Sequence, residues 1–388
     1  MSEETEVKEV KESKVKNYLK TLPKRYFITA FSGMAQGLFV TLIAGTILAT
    51  FAEYIIGKDN FFGGVLLIIA NIAKSLMGAG IGVGIAYALK KNKLLVFAAA
   101  VAGTVGAFAD RLLFGSFMAP MFPTVTAQFT TLALGVPGNP IGAYVVAMLC
   151  VEIAELYAGK TKLDIILIPL GVLLLSFIGI FLAAPFIWLV NQLGILIAQA
   201  TKIMPFFMGI IVAAVMGVLL TMPTSSAAIW ISVAKGVIEA GGDNAEYMFI
   251  AGGAAVVGCS CHMVGFAVAS FRENGWGGLV AQGLGTSMLQ IPNIMKKPII
   301  MLPMVISSVI LGPLSTCVFM LRCGFNGGGM GTSGFVGIID LLTNTSGALG
   351  IIGIFALNII LPAILTLLIS ELFRKKGWIK FGDMKLPE

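Results

Sequence analysis

Between Met222 and Asp340, hydrogen-bonding side chains gather in a chain that is otherwise apolar. Thr224, Ser225 and Ser226 follow Pro223, and His262, the single histidine, closes Gly258-Cys259-Ser260-Cys261-His262. Glu273 and Asn274 stand in Arg272-Glu273-Asn274-Gly275; Gln282, Thr286, Ser287, Gln290 and Asn293 form one block, and Gly331 and Thr332 end a glycine-rich run from Gly327. Such neutral groups can donate to and accept from a polar solute, with Phe266, Phe271 and Trp276 available as an apolar wall. A carboxylate such as Glu273 at membrane depth is costly unless it is paired or functional.

Each of these residues has a structural reading beside the chemical one. Glu273 either pairs with the adjacent Arg272 in a capped, exposed loop or contacts the solute. His262 is either a packing residue among small side chains or a solute or proton contact. It precedes Glu273 by 11 positions, about 16 Å along a straight helix, so the two serve one pocket only if the helix breaks. Glu152 and Glu155 form a second acidic constellation, three residues apart beyond the turn Pro137-Gly138-Asn139-Pro140. They either pair with Lys160, Lys162 or Lys202 near an aqueous edge or, like Asn139, touch the solute.

The elements that must position these groups are membrane helices. Of 388 residues, 57% are hydrophobic and 12% charged, about half the charge of a soluble domain. Apolar runs long enough to cross roughly 30 Å of hydrocarbon recur. They are expected at 27–57, 62–89, 165–184, 186–201, 205–221, 246–271, 299–321 and 348–373, with a shorter apolar segment at 94–109 and a membrane helix from Ile141 that bears Glu152 and Glu155. Ala184-Pro185 either kinks one long element or divides two. Residues 112–140 read as a loop or partly re-entrant element, and 226–240 as a helix with Lys235 and Glu239 at an i,i+4 spacing.

Two stretches break the pattern. Residues 275–295 are too interrupted by glycine and polar side chains for a lipid-facing helix and suit a hairpin that enters and returns. Gly327–Gly334 is a poor helix interior, with 333–343 as the short arm of a second broken element. Paired, glycine-interrupted elements are where secondary transporters bind their cargo.

Charge supplies orientation. Seven Lys and Arg lie in residues 1–25 and five in 374–388, of 26 in all, which places both termini in the cytoplasm and makes the number of spans even. The organisation expected is a cytoplasmic arm (1–25), a membrane region with scaffold and dimerisation helices (26–221) and a substrate region (222–345). A last span (346–373) and a cytoplasmic tail (374–388) follow.

Several classes are excluded. A β-barrel would alternate apolar and polar residues, and the lysines of the N-terminal arm are interleaved with glutamates, against nucleic-acid binding. The five cysteines lack metal-ligand or disulfide spacing, with Cys259-x-Cys261-His262 as the one soft metal corner, so no metal or cofactor is expected. Neither a nucleotide fingerprint nor HExxH occurs, and the charged N-terminus carries no cleavable signal.

The blocks Pro223-Thr224-Ser225-Ser226-Ala227-Ala228-Ile229, Phe271-Arg272-Glu273-Asn274-Gly275 and Leu279 to Asn293 resemble the membrane subunit IIC of the bacterial phosphotransferase system. More narrowly, they are similar to the branch that includes perfringolysin O regulator-like proteins. Gly331-Thr332-Ser333-Gly334 and Pro137-Gly138-Asn139-Pro140 fit the same branch, over residues 25–375.

The resemblance implies an all-α polytopic homodimer of the bacterial inner membrane, with about ten spans and two re-entrant hairpins. It implies an elevator-like displacement that carries a sugar, which a separate soluble IIB protein, charged by IIA, then phosphorylates. Under it, Glu273 is the first candidate to hold and deprotonate the attacking hydroxyl, and His262, Asn274, Gln282, Thr286, Ser287, Gln290, Asn293, Thr224, Ser225, Ser226, Asn139, Glu152, Gly331 and Thr332 are candidate substrate contacts. Transport without phosphorylation and membrane ligand sensing are the alternatives.

Overall fold

The computed structural model describes residues 25–109, 139–222 and 226–386, with Leu22 and Leu112. Among the described residues every regular element is helical. The arm 1–21 and nearly all of the expected loop at 112–140 lie outside them, as do Pro223, Thr224 and Ser225.

Helix α1 (Phe31–Leu38) passes through a π-helical turn at Phe39–Ile43 into α2 (Ala44–Phe51), giving one apolar stretch of 21 residues. Helices α3 (Phe61–Ser75) and α4 (Met77–Ala88) are bent by 51° where they meet. Asn92 and Asn139 cap α5 (Lys93–Ala107) and α6 (Pro140–Glu155), accepting from the Leu95 and Gly142 N–H at 2.7 and 2.9 Å. Pro140 at the start of α6 needs no amide hydrogen there. Small residues bring these helices together: a Cβ at Gly37 would lie 1.9 Å from the Gly80 carbonyl oxygen.

Helix α7 (Asp164–Ile203) is one element of 40 residues that keeps Pro185 in its interior, settling the alternative left open at that proline. At about 60 Å it exceeds the hydrocarbon thickness. Helix α8 (Pro205–Thr221) turns back, and α9 (Ser226–Ala240) carries the expected Lys235–Glu239 pair at 3.8 Å.

Helix α10 (Gly242–Ala269) is the axis of the second half: 89% of its apolar window is buried, against 28% for α7. Around it lie α11 (Phe271–Val280), α12 (Ile291–Lys296), α13 (Leu302–Pro313), α14 (Val336–Asn344), α15 (Ala348–Phe355) and α16 (Leu361–Lys375). Among the described residues five helical stretches are long and apolar enough to span a membrane, six if α3 and α4 count as one, beside the shorter apolar helices α5 and α8.

Distance along α10 serves as a ruler for the two broken segments. The first leaves its Ala269 end through α11, whose Gly275 has φ +58°, and returns through α12. It climbs from Ser270, bonded to Gln282, to His262 and Ser287, which share Thr221 as a partner. The second starts near the opposite end, where the Cys323 N–H donates to the Phe249 carbonyl at 2.9 Å. It reaches Cys259 at Gly331 and Met263 at Thr332 before α14 carries it back. The two segments meet at the level of Met263, where the Thr332 hydroxyl donates to the Gly283 carbonyl at 2.5 Å.

Candidate functional site

Glycine builds the second tip. Gly331 has φ +55°, and a Cβ there would lie 2.8 Å from that of Cys259. A Cβ at Gly328 would lie 2.1 Å from Trp230 Nε1, so the run presses against α9 as well as α10. Asp340 on α14 ties the base of this segment, accepting from the Gly324 and Gly327 N–H at 3.2 and 2.6 Å. At the tip, the Ser226 hydroxyl donates to the Gly329 carbonyl at 2.7 Å.

The first tip is held from behind by three buried side chains on three elements. Thr221 Oγ1 lies 2.8 Å from His262 Nδ1 and 2.9 Å from Ser287 Oγ. His262 is fully buried, and its Nε2 has no hydrogen-bond partner among the described residues. Nδ1–H donating to Thr221 therefore costs less than burying an unpaired Nε2–H. Ser287 follows Thr286, whose hydroxyl oxygen accepts from the Met288 N–H at 3.1 Å.

Against these tips lies a cavity of about 220 Å³, lined on one side by Ser32, Gln36, Phe39 and Ile43 of the first helical stretch. Leu220, Ser226, Ala227, Gly285, Thr286, Met288, Gly329, Met330 and Ser333 also line it. Among the described residues no lining side chain is charged. Among the described residues the Ser226 proton is committed to Gly329 and its lone pairs have no donor, whereas Thr286 has used a lone pair and keeps its proton. One acceptor and one donor thus stand at the same cavity, as a hydroxyl-bearing solute requires.

A family model described as Phosphotransferase system, EIIC matches residues 28–386. The chain belongs to this family. It is a phosphotransferase-type membrane permease, with the all-helical body and apolar spans that membership requires. No curated protein sequence matches the chain.

In this EIIC chain the candidate residues fall into separate groups. Ser226 and Thr286 line the cavity, while Ser287, His262, Gly331 and Thr332 stand directly behind it. Asn139 caps α6. Glu152 is bonded to Arg25 at 2.9 Å, and Glu155 to Arg25 and Lys91, not to Lys160, Lys162 or Lys202 as expected; loop ends remote in sequence supply the charge. Thr224 and Ser225 lie outside the described residues.

Glu273, Asn274, Gln282, Gln290 and Asn293 make a different assembly. The Glu273 carboxylate, 1% exposed, pairs with Arg374 at 3.1 Å, whereas Arg272 turns to Glu371, also at 3.1 Å. Adjacent side chains on a helix point apart, so the expected Arg272 partner is replaced by one 101 residues away. Glu273 also accepts from the Gly382 and Met384 N–H at 2.9 and 3.2 Å, and Asn274 from the Leu386 N–H at 2.8 Å. The Met384 carbonyl receives Asn274 and Gln290, both at 2.9 Å, and Asn293 reaches the Lys385 carbonyl at 2.9 Å. Gln282 joins Gln290 at 2.8 Å and Ser270 at 2.9 Å.

Asp383 finishes the assembly, accepting from Lys297 and from the Lys380 N–H, both at 2.6 Å. Burial raises its carboxyl, but those hydrogen bonds and the two lysine charges outweigh it and hold the group below its ordinary value.

Sequence reasoning missed Ser32, Gln36 and Ser333 as cavity residues. Ser32 and Gln36 are four apart in an otherwise apolar helix, so they share a face. That spacing was the available signal.

Proposed function

We propose that this EIIC-family permease carries one small, neutral, polyhydroxylated solute of the sugar class in the cavity between the first helix and the two segment tips. The observation that carries this reading is the paired presentation of a Ser226 acceptor and a Thr286 donor, neither engaged in that role among the described residues, where two broken segments converge. A volume of about 220 Å³, below the roughly 300–1,000 Å³ of drug-sized sites, suits one small molecule. The uncharged lining suits a neutral one.

In this reading the broken segments are re-entrant hairpins, residues 222–345 form the transport region and 26–221 the scaffold. The chain works as a homodimer in the bacterial inner membrane with both termini cytoplasmic. Basic Arg374, Lys375, Lys376 and Lys380 beside Arg272, Lys296 and Lys297 support that orientation. Separate IIB and IIA proteins phosphorylate the solute on arrival. The test is uptake of a labelled sugar panel into vesicles carrying the chain, with and without its IIB partner and a phosphodonor. Accumulation of a phosphorylated sugar only with the partner supports the reading; absence of flux and binding for the whole panel sinks it.

A further inference from the structure

We infer that the segment Lys380–Leu386 is a strap whose hold on the roots of the first broken segment controls access to the cavity, with Glu273 as its anchor. This rests on the cavity reading above, because access matters only if a solute occupies the site. The grip is on backbone: N–H groups of Gly382, Met384 and Leu386 and carbonyls of Met384 and Lys385 are all taken by side chains of the two roots.

The Met384 carbonyl receives one donor from each root, Asn274 in α11 and Gln290 before α12, so this single group bridges the arms. Its side chain is fully buried, in one apolar cluster with Phe266, Ile294, Ile300, Phe373 and Ile379. Along the arms, Gly277 and Gly285 have no atom within 4 Å of where a Cβ would stand, and Gly275 is left-handed. Those positions leave room for the arms to move, but the strap bonds both roots to one backbone.

Glu273 is thus a positioning residue, acting on passage through the strap and not by touching the solute. The chemistry also explains why these side chains look like a sugar site: a peptide backbone and a sugar both present alternating donors and acceptors.

The test needs no known solute. In a chain carrying Cys317→Ser, which removes the exposed native thiol, Gly285→Cys places a reporter on the cavity wall where a side chain meets nothing. A maleimide presented on each side of the membrane in turn reads its accessibility. Deleting 380–388 should speed labelling from the strap side by roughly tenfold, the response of an equilibrium released from one restraint.

A second arm keeps the test decisive if that deletion misfolds. Glu273→Gln weakens the pairing with Arg374 and the acceptor for the Gly382 and Met384 N–H, and it should speed labelling of the same reporter from the strap side with no further thiol added. Labelling unchanged by Glu273→Gln in the folded protein overturns the strap, whatever the deletion does. Labelling that follows the strap in a protein that binds no sugar would sink the sugar-cavity reading and leave the strap standing.

Discussion

Glu273 and His262 both draw attention in the sequence as isolated polar groups, and their surroundings separate them. The carboxylate is saturated by Arg374 and two backbone N–H groups; the imidazole makes one bond, to Thr221, inside a packed core. His262→Ala should therefore act on stability, through an apolar void and a lost partner for Thr221, at about 2–5 kcal/mol. Thermal unfolding in detergent checks this. A protein of undiminished stability that had lost solute binding would instead make His262 a direct contact.

At the scale of elements, glycine decides which segments stay helical. Gly331→Ala must adopt a left-handed conformation and intrude on Cys259, which together cost about 2–5 kcal/mol. Gly277→Ala, with nothing nearby, should be neutral or gain a few tenths of a kcal/mol to about 1 kcal/mol in helix stability. Comparing the two unfolding midpoints tests whether close backbone approach or mere flexibility fixes the glycines.

The strap has its own pH signature. Since the folded carboxyl of Asp383 lies below its ordinary value, its contribution is fully present above about pH 4, the unfolded value for aspartate. It is lost as pH falls through the lower folded value. Hydrogen exchange of the 380–386 amides, corrected for the intrinsic pH dependence of exchange, should accelerate on acidification in that window. Asp383→Asn should be faster at neutral pH and flat across it.

The broken segments were legible because Gly-rich interruptions cannot sit in lipid as continuous helix, as were the Gly241-Gly242 turn between α9 and α10 and the basic run at the end of α16. The strap was not legible: five backbone groups at 382–386 carry no sequence signal, and their partners lie 92 to 112 residues away. Neutral amides suited to a sugar suit a peptide equally, so type alone assigned Asn274, Gln290 and Asn293 to one pocket with Thr286.

At the scale of the molecule, the long apolar surface of α7 is what a bilayer or a second copy must cover. Leu174, 72% exposed, and neighbouring Phe177 and Ile178 stand in its first half, near the middle of the span expected at 165–184. Leu174→Lys should reduce membrane insertion at a cost of roughly 2.5–3.5 kcal/mol, the figure for the middle of a span. Ile203→Lys, at the helix end, should be tolerated because its ammonium can reach the interface. The membrane-integrated fraction of each variant measures the difference.

The central claim is that the small cavity between the first helix and the two converging tips holds the solute. Equilibrium binding of a sugar panel to the purified full chain, in wild type and in S226A and T286V, tests it most directly. Each loss of a hydrogen-bonding group should weaken binding of the recognised sugar by roughly three- to tenfold, and the double variant by more than either alone. A sugar bound with wild-type affinity by the folded double variant would contradict the account.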